Sequence, residues 1–107
     1  MANENEKTPD FQESVLTRTG TELTEPKMFK VILLNDHYTT MEFVVTVLVK
    51  VFQKSAAEAT AIMLDVHKKG AGVCGVYTFD SAMSKIDQVH KMAQENEFPL
   101  KCTSEPA

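Results

Sequence analysis

Apolar and polar positions change rhythm sharply along this chain. Val31-Ile32-Leu33-Leu34 is an apolar run that stops at the polar pair Asn35-Asp36. It predicts a strand over Lys27–Leu34, buried in its second half. From Met41 the rhythm becomes helical: Met41, Val44, Val45, Leu48, Val51 and Phe52 follow the spacing of one apolar face. Thr39-x-x-Glu42 reads as the capping box that opens this helix. Its many valines are poor helix formers, so packing must hold it. A second box, Ser55-x-x-Glu58, opens a second helix with Ala59, Ile62, Met63, Val66 and His67 on one face, and Gly70 stops it. Gly72–Tyr77, β-branched and punctuated by glycine, predicts another strand. Thr78 or Asp80 then caps a third helix running to about Glu95, with Ala82, Ile86, Val89 and Ala93 inward and Met83 and His90 beside them. Pro99 forbids helix and precedes a short strand, Leu100–Thr103. The order β-α-α-β-α-β predicts an α+β fold, an α/β sandwich with helices on one face of a small, mostly antiparallel three-stranded sheet.

Composition narrows this without changing it. The 107 residues suffice for one domain, and 43% hydrophobic content supports a modest core. Charge divides unevenly: residues 1–26 hold six acids and two bases, whereas residues 27–107 hold nine of each. The acidic stretch 1–26 lacks sustained apolar periodicity and is expected to be a disordered N-terminal extension, with the folded domain over 27–107. A single arginine, Arg18, and no basic cluster beyond Lys68-Lys69 argue against nucleic acid as a partner. No apolar run is long enough to span a membrane and no signal-peptide pattern opens the chain, so a cytoplasmic location is expected. Cys74 and Cys102 are then expected as buried free thiols, and their spacing to His37, His67 and His90 fits no metal site.

The junction between the first strand and the first helix carries the candidate chemistry. Asn35 offers an acceptor oxygen, Asp36 a negative charge, and a neutral His67 imidazole a further acceptor. Together they suit an ammonium group, and a free α-amino group is mostly cationic at neutral pH. Met41 and Val44 lie at i and i+3 on one helix, and Met63 and Val66 do the same on the next. An apolar wall beside a polar tip is the expected result. The plainer readings are a turn whose side chains cap local backbone, and methionines that fill a core.

The segments NDHYTTMEFVV, IMLDVHKKGAGVCGVYTFDSAMSKIDQV and ENEFPLKCT closely resemble the ClpS adaptor family, in the same order, from about Met28 to Thr103. The resemblance implies an adaptor, not an enzyme, that passes proteins with destabilising N-terminal residues to a Clp unfoldase–protease. By it, Asn35, Asp36 and His67 match the positions that meet the substrate's α-amino group, directly or through water. Leu33, Thr39, Met41, Val44, Met63, Val66 and Leu100 match the side-chain pocket, with Met41 as a gate against β-branched residues. Asp80 and Lys85 match surface positions for docking on the N-terminal domain of the unfoldase, ClpA-type or ClpC-type. It implies Leu, Phe, Tyr or Trp as the first residue of the substrate; no cofactor is expected, and a monomer is the default.

Two positions depart from the family pattern Asn-Asp-Asp-Tyr-Thr-Pro-Met: His37 replaces the second acid and Thr40 the proline. Losing an acid removes favourable field from a cation site, and a protonated His37 opposes it. The alternative is therefore a modulator of Clp substrate choice whose amine pocket is weakened or altered. An enzymatic Cys74–His67 pair is disfavoured, because a cysteine in an apolar strand is an inert thiol.

Overall fold

The computed structural model describes residues 25–107; the expected disordered extension falls, apart from Glu25 and Pro26, outside the described residues. The elements are β1 (Met28–Leu34), α1 (Met41–Lys50), α2 (Ala56–Lys69), β2 (Ala71–Thr78), α3 (Phe79–Glu95) and β3 (Lys101–Pro106). β1 is the central strand, antiparallel to β2 on one side and β3 on the other. Both expectations, the element order and the antiparallel three-stranded sheet, hold.

The sheet buries one face. Val31 and Leu33 of β1 are fully buried, together with Cys74 of β2 and Cys102 of β3, against Leu48 and Val47 of α1, Ala59, Met63 and Val66 of α2, and Ala82, Val89 and Ala93 of α3. Val73 and Val76 point the other way and stay nearly half exposed. Between Val31 and Ile32 the register slips: Val31 faces Gly75 and Ile32 faces Val73, leaving Cys74 as the extra residue of a bulge. The slip reverses the in–out alternation of β2. Gly75 and Tyr77 now share the inner side, where the Tyr77 ring lies so close over Gly75 that a Cβ there would sit 2.6 Å from its hydroxyl oxygen.

The caps fix how the helices enter the sheet. α2 has the expected box: Ser55 Oγ accepts from the Glu58 amide and Glu58 Oε1 accepts from the Ser55 amide, each at 3.1 Å. Gly70 ends it at φ 91°, where any side chain would be strained, and its amide donates to Val66 O. The box expected at Thr39-x-x-Glu42 does not form. Thr40 is the N-cap of α1, its hydroxyl accepting from the Phe43 amide at 3.1 Å. Thr39 is held instead by Asp36, so Glu42 sits one position too early for a reciprocal bond and serves only as an acid in the first turn. Thr78 is the N-cap of α3 but makes no side-chain bond there.

α1 ends before Val51 and Phe52, which remain buried in the turn that follows. The freed Val51 carbonyl accepts from Lys85 Nζ of α3 at 2.7 Å. β2 lies very close to α2: a Cβ on Gly72 would stand 2.7 Å from Val66 Cγ2 and 3.1 Å from the Ile62 carbonyl. A glycine is needed at this approach, and it brings the last turns of α2 beside the end of β1.

Candidate functional site

The loop Asn35–Thr40 is built by one carboxylate. Asp36 Oδ1 accepts from the Tyr38 and Thr39 amides at 2.8 and 2.7 Å, and Oδ2 accepts from the Thr39 hydroxyl at 2.7 Å. Partial burial pulls the Asp36 pKa up, but the Thr39 amide and hydroxyl, the Tyr38 amide and the neighbouring His37 outweigh it, and the net shift is downward. A carboxylate offers about four acceptor sites. Three are occupied, so one on Oδ2 remains for a ligand. The loop is tied to α2 by the Asn35 amide, which donates to the Gly70 carbonyl at 2.9 Å. This bond places the Asn35 and Asp36 side chains beside the last turn of α2, where His67 lies and where the helix dipole presents its negative end.

A cavity of about 230 Å³ opens between this loop and the two helices. Its apolar side is Val44 of α1 with Met63 and Val66 of α2, all buried, and Met41 at the first position of α1, 43% exposed. Its polar side is Asn35, Asp36, His37, Thr39 and His67. The volume falls below the roughly 300–1,000 Å³ of drug-sized sites, so it suits one side chain. All three residues expected for the α-amino group line it, with Thr39, Met41, Val44, Met63 and Val66.

Leu33 and Leu100, also expected in the pocket, are not on its lining. Leu33 is fully buried in the core, and Leu100 lines a separate groove with His90, Phe98 and Pro99. His37, read in the sequence as a departure that opposes a cation when protonated but not named among the site residues, does line the cavity. Its place next to Asp36 in a loop already assigned to the site was the signal available. Asp80 is exposed in the first turn of α3. Lys85 is half-buried, bonded to Val51 O and to Gln53 Oε1 at 3.1 Å, with the Tyr77 ring centroid 5.7 Å away.

The remaining reactive groups lie elsewhere. Burial pushes the Cys74 thiol up to about 12, with Cys102 adding to the shift, and burial does the same to Cys102. Among the described residues no helix is long and apolar enough to cross a membrane. Nor do three or more His, Cys, Asp or Glu residues gather there as metal ligands.

Comparison with known proteins decides the family. The family model for the ATP-dependent Clp protease adaptor protein ClpS matches residues 24–103. The chain belongs to the ClpS family. The ClpS adapter of Syntrophus aciditrophicus is 54% identical over 103 residues, covering 96% of both chains. That of Acetivibrio thermocellus is 62% identical over 92 residues, covering 86% of this chain and 93% of the relative. Among solved structures, Agrobacterium tumefaciens ClpS2 bound to L-phenylalaninamide superposes with a TM-score of 0.75 at 40% identity, covering 78% of this chain and all of that one. The chain is thus an adaptor of a Clp protease with the fold of its family.

Proposed function

We infer that the cavity between the Asn35–Thr40 loop and helices α1 and α2 binds the first residue of N-degron substrates, and that the adaptor delivers them to a Clp AAA+ unfoldase. The observation that carries this reading is the division of one small cavity into an apolar side and a polar side. A bulky apolar side chain, Leu, Phe, Tyr or Trp, fills the part lined by Met41, Val44, Met63 and Val66. Its α-ammonium meets Asn35, His67 and the open acceptor site of Asp36. L-Phenylalaninamide, the ligand of the Agrobacterium relative, has this chemistry: a free amine, an aromatic side chain and an amide in place of the carboxylate.

Both ends are needed. Burying a Leu or Phe side chain contributes about 1.5–3 kcal/mol. Each charge-assisted hydrogen bond to the ammonium contributes about 1.5–3 kcal/mol. Association and peptide ordering offset several kcal/mol. Neither contribution alone exceeds that cost, so binding requires the apolar and the polar side to be filled together. An internal Leu has no ammonium, and an acetylated terminus leaves the polar groups unpaired. Met41, on the rim, crowds a side chain branched at Cβ and acts as the gate.

In this reading Asp80 and Lys85 face the N-terminal domain of the unfoldase, ClpA-type or ClpC-type, and residues 1–26 are engaged during hand-over. No cofactor enters, and no catalytic step is assigned, consistent with the buried, un-ionised Cys74. The adaptor acts as a monomer in the cytoplasm. Asn35→Ala and His67→Ala test the assignment: each should abolish binding of a Leu-initiated peptide while the fold persists. Unchanged binding in both would favour a modulator of the unfoldase without an amine pocket.

A further inference from the structure

Oxidisable sulfur is unevenly placed in this chain. The two cysteines are poor targets: Cys74 and Cys102 are buried, and burial pushes both thiols up to about 12, so almost no reactive thiolate forms at neutral pH. A thioether needs no ionisation, only access. Among the methionines of the described residues, Met63 is buried, and Met83 and Met92 are partly buried against the core. Met28 and Met41 are exposed, at 40% and 43%. They differ in where they lie. Met28 opens β1, whereas Met41 opens α1 and lines the first cavity beside Val44, Met63 and Val66. An accessible thioether therefore forms part of the apolar side of the cavity.

We propose that Met41 is a redox-sensitive modification site: its oxidation to the sulfoxide by a hydroperoxide weakens the hold of the cavity on a bulky apolar first side chain. The inference rests on the N-degron reading of that cavity. The chemistry is a two-electron oxygen transfer. With hydrogen peroxide, a lone pair of the Met41 sulfur attacks one oxygen, the O–O bond breaks and an S–O bond forms. The proton of the transferred oxygen passes to the departing hydroxide, which leaves as water; sulfur is oxidised and peroxide reduced. A flexible apolar wall then carries a strong dipole. Seating a Leu or Phe side chain against it strips water from the sulfoxide oxygen, and Val44, Met63 and Val66 offer no donor in exchange. Occupancy and oxidation are coupled in both directions. A side chain seated in the cavity covers Met41, while Met28, at the far end of β1 from the Asn35–Thr40 loop, stays open.

Hydrogen peroxide treatment of the full chain tests this, with a Leu-initiated peptide free of Met and Cys as the probe. Peptide mapping by mass spectrometry should find Met28 and Met41 oxidised ahead of Met63, Met83 and Met92. Chain oxidised at Met41 should bind the probe about 5–30-fold more weakly. A methionine sulfoxide reductase should restore the affinity. Each variant is compared with itself before and after treatment: Met28→Leu should lose affinity as the wild-type chain does, and Met41→Leu should lose none. Saturating probe, but not its N-acetylated twin, should slow oxidation of Met41 and leave that of Met28 unchanged. Undiminished binding once Met41 is oxidised, or an equal loss in Met41→Leu, overturns the redox site alone. Failure of the untreated chain to bind the probe overturns the first-cavity reading and the redox site with it.

Discussion

Thr39 presents its amide and its hydroxyl to the two different carboxylate oxygens of Asp36, each at 2.7 Å. This double bond of the loop to itself makes Asp36 a latch as well as a charge, and it couples the polar side of the cavity to the start of α1. Thr39→Val removes the hydroxyl donor while keeping shape and amide. It should weaken binding of a Leu-initiated peptide by about 1 kcal/mol, near 5–10-fold, with little change in global stability. Calorimetric titration beside a urea melt separates the two effects.

The latch also has a pH signature. The Asp36 pKa is lowered in the folded chain, so its contribution is complete above the ordinary carboxylate value of 3.8 and is lost as pH falls through the lowered one. The Tyr38 and Thr39 amide resonances should therefore hold steady down to that value and move only below it. A transition of these amides centred above 3.8 would show that the latch is not formed as described.

Adjacent threonines divide two tasks. Thr40→Ala should destabilise the domain by about 0.5–2 kcal/mol through loss of the α1 N-cap. Glu42→Ala should be nearly neutral, because no capping box forms there. The reverse order of effects in denaturant melts would restore the Thr39–Glu42 box.

Gly72→Ala tests the approach of β2 to α2. The added methyl group meets Val66 Cγ2 at 2.7 Å and a backbone carbonyl, so α2 must shift, at a cost of about 1–3 kcal/mol. Since Val66 lines the first cavity, peptide affinity should fall in the same variant.

Asp80 and Lys85 should separate in their behaviour. Asp80→Ala leaves melting temperature and peptide affinity unchanged and weakens association with the unfoldase. Lys85→Ala does the same to association but also lowers stability by about 1 kcal/mol, because the Val51 carbonyl loses its partner. Equal melting curves for the two variants would mean that the Lys85 bond contributes nothing.

Much of this was legible in the chain because local signals agreed. The Ser55 box, Gly70 and the period of α2 all point to one helix, and the helix ends where they say. The Asn35-Asp36 and His67 positions were legible as a polar tip beside apolar walls, and the resemblance to a known family bound them into one site. The Thr39–Thr40 ambiguity was not resolvable by spacing. Asp36 captures Thr39 through a turn of its own, and the cap moves one residue on. The Cys74 bulge left no mark in composition, since it depends on pairing with β1. β3 runs to Pro106, beyond its expected end at Thr103, because β1 offers a free ladder that polar Ser104 and Glu105 can join. Leu33 matched a pocket position but lies in the core. A one-dimensional match does not distinguish a cavity wall from the core residues packed behind such walls.

A fluorescence-anisotropy titration of a labelled Leu-initiated peptide, with its N-acetylated twin alongside, tests the central claim most directly. The account predicts micromolar or tighter binding that acetylation abolishes, because the apolar and polar sides of the cavity must be filled together. Failure of both peptides to bind, or equal binding of the two, would contradict it.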